Sequence, residues 1–448
     1  MDRHWAMLTG LIMAATGTGF ILTVQKNRNL EKLAEASRAP RGQLASSGGL
    51  PTSSGSSGTE TDSNAPHPQE AQRLDIAHSV AALRGLAFRR PLTFQQLTTE
   101  NLDSFLLRDV GRRFPAGALD RMTTAYQAMG FVEKDVDLTQ VYKTIATANV
   151  TARFNRESGR LFITDDCDMK ETRSRMEMAR EVIHHLQDDH YQLTQLLLPP
   201  ELQADHAAAL QALVTGDRYS HAARLMEEKE GLDAPFPQDS DKTLSTLPAF
   251  LKGEIEFARV AGRAFCEALI NADRLISAYE RPPTCSTHIL HPESYLKRPP
   301  FQPRRIRWAQ VNVMGGHPIW DNIAGELGIR LLLQQALPAD RAATVASGWA
   351  GDGFLVYERG TDTHVVWKTL WRSPVQAATF ARALSEAAPD LYGTTGEGQR
   401  SPDGKIIEFG DPEPLIIQQD GAEIFVIRSR DAGWRETLRT LALNARID

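Results

Sequence analysis

The chain has 448 residues, 42% hydrophobic and 24% charged, the balance of a globular protein with room for one large or two ordinary cores. A formal net charge of −6 gives no electrostatic footprint for nucleic acid. Three cysteines, Cys167, Cys266 and Cys285, fit neither a disulfide framework nor a zinc knuckle and read as buried thiols.

Trp5 to Val24, WAMLTGLIMAATGTGFILTV, carries no charge and would span roughly 30 Å as a helix, enough for a bilayer core. The expectation is an uncleaved membrane anchor, because FILTV continues past the small residues of AATG; a cleaved signal peptide is the alternative. Arg41 to Glu70 is rich in Ser, Gly, Thr and Pro and poor in aliphatic residues, so it reads as a tether. The expected division is 1–40 anchor and juxtamembrane segment, 41–70 linker, 71–345 mainly helical region and 346–448 C-terminal α+β region.

From Ala71 onward, RLDIAHSVAALRGLAF, LTTENLDSFLLRDV and GALDRMTTAYQAMGFV have helical apolar spacing. VTARFNRESGRLFITDD alternates about an Asn-Arg-Glu-Ser-Gly turn and reads as a hairpin. ADHAAALQALVTGDRYSHAARLMEEK, LPAFLKGEIEFARVAGRAFCEALINA and IWDNIAGELGIRLLLQQAL read as helices. In the last hundred residues GFLVYER, THVVWKTLW, KIIEFG, PLIIQQ and EIFVIRS are short β-type runs, with PVQAATFARALSEAA and GWRETLRTLALNA as helices among them.

Chemistry concentrates in MAREVIHHLQDDHYQL, residues 178–193. A zinc-peptidase helix reads H-E-x-x-H; here Glu181 and His184 are in place, but Arg180 stands at the first ligand position. On a helical wheel His184, His185 and Asp188 fall within about 60° of Glu181, opposite Ala179, Val182, Ile183 and Leu186. His190 points away from Glu181, toward packing or a backbone partner. Taken alone, this is an ordinary amphipathic helix.

The neighbouring blocks extend the likeness. RGLAFRRPL, TARFNRESGRLFI, AREVIHHLQDDHYQL, ALQALVTGD, RPPTCSTHILHPESYL, GELGIRLLL and GWAGDGFLVYE occur in that order. In this ordered set the chain resembles a family of bacterial exported or membrane-anchored HExxH zinc metallopeptidases. The resemblance implies a zincin-like α+β fold, mainly helical, with a hairpin before the active-site-type helix. It places the general base on Glu181 and the metal ligands on Arg180, His184 and Thr215. Arginine cannot donate a lone pair and repels a divalent ion, and threonine is a poor ligand beside a carboxylate. The expectation is therefore a degenerate member without metal, with Glu181 a vestigial base and Arg180 pairing with Glu181 or Asp188. Its function would be to bind a peptide, protein or envelope component in the inherited cleft. One alternative is an active zinc enzyme with ligands rearranged around His184 and Glu181, drawing on His185, Asp188 or the distant His221, His288 and His291. Another is a structural envelope protein. The resemblance and the tether favour an extracytoplasmic, membrane-anchored body, whereas Lys26, Arg28, Lys32, Arg38 and Arg41 after the apolar span argue for the opposite side. Glu326 reads as a satisfied buried carboxylate, and Gly348, Gly351 and Gly353 as turn-makers.

Overall fold

A computed structural model describes residues 69–448 apart from 115, 149, 198–202, 232–244, 411 and 413. The expected anchor at Trp5–Val24 and nearly all of the tether lie outside these residues. Among the described residues no helix is long and apolar enough to cross a membrane. The expectation of a membrane-anchored, extracytoplasmic body is corrected accordingly: nothing in the described chain supports it.

The chain runs α1 (Glu70–Arg84), β1 (Thr93–Leu97), α2 (Thr99–Arg113), α3 (Ala118–Met129), α4 (Leu138–Thr147), β2 (Ala152–Asn155), β3 (Arg160–Thr164) and α5 (Thr172–Tyr191). A short α6 (Leu193–Leu197) precedes the long α7 (Ala204–Glu230). Next come α8 (Ala249–Glu256), a π-helical turn (Phe257–Ala261), α9 (Gly262–Asn271), α10 (Leu275–Glu280), α11 (Ser286–Leu290), α12 (Pro292–Leu296) and β4 (Ile306–Arg307). β5 (Trp320–Asn322), α13 (Gly325–Gln334), α14 (Ala339–Ala346), β6 (Trp349–Arg359) and β7 (Asp362–Trp371) follow, then α15 (Pro374–Tyr392), β8 (Gln399–Arg400) and β9 (Ile406–Phe409). The chain closes with β10 (Leu415–Asp420), β11 (Glu423–Arg428), α16 (Ala432–Asn444) and β12 (Arg446–Ile447), which pairs with β4.

The hairpin β2–β3 forms across Asn155 to Arg160, with Gly159 at φ 68 closing the turn. Glycine adopts that left-handed backbone without a Cβ penalty. The hairpin gains a third strand, since β1 pairs parallel to β3 and gives the order β1-β3-β2. β2 is therefore an edge. α5 lies against this sheet, and Ala179, Val182, Ile183 and Leu186 join Ile76, Val80, Leu161, Ile163, Leu225 and Met226 in one apolar core.

The second sheet is antiparallel with seven strands in the order β5-β6-β7-β11-β10-β9-β8. Its side chains alternate between faces as the pleat requires. Phe354, Val356, Val365, Trp367, Ile424 and Val426 face the core that continues into the helical region, α15 included. Leu355, Tyr357, Val366, Phe425 and Ile427 face Trp434, Leu438 and Leu441 of α16. This sheet corrects the expected fold class. A mainly helical zincin-like body with a small C-terminal α+β region underestimates it: the sheet recruits Trp320–Asn322 from the expected helical region, and the helical core runs onto one of its faces. β5 and β8 escaped the sequence because three and two residues are too short to show a period of two.

Candidate functional site

α5 approaches β2 so closely that its acidic side chains serve the strand. In β2, Ala152 and Phe154 turn their N–H groups away from β3. Glu177 accepts from the backbone N–H of Thr151 (3.1 Å) and Ala152 (3.3 Å) and from the Thr151 hydroxyl (3.0 Å). Glu181 accepts from the Phe154 N–H at 2.8 Å. Two carboxylates four residues apart on a helix are separated by about 6 Å of rise, and alternate strand N–H groups by about 6.6 Å. The spacing lets one helix face satisfy the open edge of a strand, which would otherwise offer donors to any passing chain.

The second Glu181 oxygen takes the guanidinium of Arg218, from α7. Arg218 also donates through Nε to the Arg180 carbonyl at 3.1 Å, which ties α7 to α5. Both side chains of the pair are buried, each residue 3% exposed. Burial pushes the Glu181 carboxyl up, but Arg218, the neighbouring His184 and the charge of Arg153 outweigh it and hold the group at about 2. His184 is fully buried with Nδ1 3.8 Å from Glu181, packed edge-on to Phe154. Burial drives its imidazole down to about 3, so it stays neutral.

Arg180 does not pair with Glu181 or Asp188. Its guanidinium lies 4.7 Å from the centre of the Tyr219 ring, on the flank of α5. Thr215 is buried and accepts from the Gln211 amide at 2.8 Å. Of the expected vestigial ligand positions, Arg180 and Thr215 thus have separate partners, while neither ring nitrogen of the buried His184 makes a hydrogen bond. Nor do the alternative ligands converge. Asp188 pairs with Arg90 at 2.8 Å, and Asp189 takes Arg90 and two backbone N–H groups. His185 sits 3.3 Å from Asp189 between Phe88 and Phe154. His190 bonds to the Ala87 carbonyl at 2.7 Å, a backbone partner as its wheel position implied.

Distant histidines are also committed. His221 Nδ1 lies 2.8 Å from Asp217, whose carboxylate also accepts from Arg84, Gln187 and Tyr279. His288 bonds to the Phe301 carbonyl, and His291 to Glu326, which also accepts from the Thr287 hydroxyl. Among the described residues no group of three or more His, Cys, Asp or Glu is placed to hold a metal ion. The residues that are present do not fit zinc: where a Lewis acid would lie beside Glu181 there is a guanidinium, which offers no lone pair.

Three residues of this site were not singled out from the sequence. Glu177 lies one helical turn before Glu181, Arg218 one turn after Thr215, and Tyr219 beside it. The helical spacing that paired Glu181 with His184 would have found the first two; Tyr219 carries no such signal.

The comparisons with known proteins bear on another part of the molecule. Residues 317–439 match a domain of unknown function, DUF8575. That stretch runs from just before β5 into α16 and leaves out α5 and α7. No curated protein and no solved structure matches the chain.

Proposed function

We propose that the chain is a non-catalytic relative of HExxH metallopeptidases, working by binding and not by hydrolysis. The reading rests on one observation: Glu181 spends both oxygens on structure, one on the Phe154 N–H and one on Arg218. A general base must reach a substrate-side water and have a pKa near the working pH. A carboxylate held at about 2 between two donors does neither. The ligand does not enter as an added strand on β2, because Glu177 and Glu181 occupy that edge.

Elemental analysis of the purified full chain tests this reading. The expected result is no stoichiometric zinc. Zinc at one per chain that disappears in His184→Ala would overturn it. Arg180→His with Thr215→Glu supplies the two missing ligands, and zinc binding is expected only when Arg218→Ser is added.

A further inference from the structure

Among the described residues around α5, α7 and the π-helical turn, positive charge exceeds negative charge. Arg153, Arg180, Arg218 and Arg259 surround Glu177, Glu181 and Tyr219, as their mutual electrostatic effects record. Among the described residues, four guanidinium cations against two carboxylates leave two positive charges in excess. The carboxylates are also spent, on β2 and on Arg218. Arg153, Arg180 and Arg259 have no carboxylate within ion-pair distance among the described residues, and Arg153 and Arg259 each keep a buried Nε without a hydrogen-bond acceptor. Unbalanced cations that are buried or half-buried cost free energy unless something pairs with them.

The placement of Arg259 is itself specific. It sits in the π-helical turn, where the extra residue per turn shifts its side chain round the helix. That turn is pressed on α7 by two glycines: a Cβ on Gly216 would lie 2.1 Å from the Gly262 carbonyl oxygen, and one on Gly262 would lie 2.4 Å from that of Ala212. Backbone contact at this range holds the turn against α7, and the charge of Arg259 acts on the Tyr219 phenol. Arg180 reaches the same ring from α5.

We propose that Arg180, Arg259 and Tyr219, backed by Arg218 and Arg153, bind the phosphoryl group of a phosphate or phosphomonoester. Guanidinium groups present forked donors that match phosphate oxygens, and a phenol adds one more. The excess of two charges matches a phosphoryl dianion of about −1.5 to −2 near neutral pH, whereas a single carboxylate would leave one cation unmatched. Tyr219 carries a mark of this field. Burial raises its phenol, yet Arg180, Arg259 and Arg218 outweigh burial and bring it below its ordinary value.

The test uses the full chain in chelator-treated buffer, so that it is independent of any zinc. Inorganic phosphate, phenyl phosphate and acetate are titrated calorimetrically, and tyrosine ionisation is followed by phenolate absorbance with and without phosphate. Both phosphates are expected to bind, with acetate about tenfold weaker or more. Arg180→Gln and Arg259→Gln should each weaken phosphate about tenfold, while Arg341→Gln, at a distant exposed pair, leaves it unchanged. Phosphate should raise the earliest-ionising tyrosine, and Tyr219→Phe should remove that component. This spectroscopic arm needs no change in the cationic residues. Absence of phosphate binding together with an unmoved tyrosine titration would overturn the site, and acetate binding as tightly as phosphate would overturn its phosphoryl assignment.

Discussion

At the residue scale, the exchange of Arg180 for Arg218 as the partner of Glu181 has a simple cause. Neighbouring residues on a helix project about 100° apart, so Arg180 and Glu181 cannot face each other. Arg218 comes from another helix and meets the carboxylate head-on. A buried pair of this kind is costly to break, because the survivor keeps its charge without a partner. Arg218→Met is expected to lower unfolding free energy by about 3–5 kcal/mol, read by chemical denaturation. Adding Glu181→Gln to that variant should restore part of the loss, since no uncompensated charge is left. If the double variant is as unstable as the sum of the singles, the two side chains are not coupled. The helix that carries Glu181 and His184 was legible at this scale. The replacement partner was not, because it depends on where α7 crosses α5, which no local spacing encodes.

At the element scale, what could be read was what repeats. GFLVYER, THVVWKTLW, KIIEFG, PLIIQQ and EIFVIRS correspond to β6, β7, β9, β10 and β11, because each is long enough to alternate. β1 lay hidden behind Arg90-Pro91, where proline ended the preceding helical pattern and TFQQL offered few apolar residues. LPAFLKGEIEFARVAGRAFCEALINA reads as one helix, but a π-helical turn divides it into α8 and α9. Its site is set by Gly216 and Gly262, whose backbones touch across helices far apart in sequence. Gly216→Ala should therefore destabilise by about 3 kcal/mol through overpacking against carbonyl atoms that cannot move aside. Gly111→Ala is the contrast, since nothing lies within 4 Å of a Cβ there and α2 is helical. Removing that glycine's backbone freedom should stabilise by about 0.5–1 kcal/mol. Thermal denaturation of the two variants should move in opposite directions; a shared direction would mean that the glycine contact does not fix the helix crossing.

At the scale of the whole molecule, buried ionisable groups of opposite behaviour limit stability from both sides of neutrality. Burial drives His184 down to about 3 from an ordinary 6.5. Below pH 6.5 the unfolded chain takes up a proton there that the folded chain refuses, so stability falls as pH drops toward 3. Glu181, held at about 2 chiefly against burial by Arg218, adds to the same acid limb: its contribution is complete above about 4.5 and is lost as pH falls through 2. Glu254 and Asp205 act the other way. Burial alone raises Glu254 to about 8, and burial outweighs the Ser286 hydrogen bonds to raise Asp205 to about 7, aided by Asp352 and Glu326. Both line one cavity with Trp320. Each folded-state acid keeps its proton where the unfolded chain has released it. Their contribution is whole below the ordinary carboxylate range and is lost as pH rises through 7 and 8, at up to about 1.4 kcal/mol per pH unit for each group. Denaturation midpoints measured from pH 4 to pH 9 should therefore trace a dome. Glu254→Gln keeps the shape of the protonated acid but cannot ionise, so it should flatten the alkaline side and leave the acid limb in place. An alkaline limb unchanged in that variant would show that Glu254 is already ionised in the folded chain, and that the cavity is wetter than its apolar walls imply.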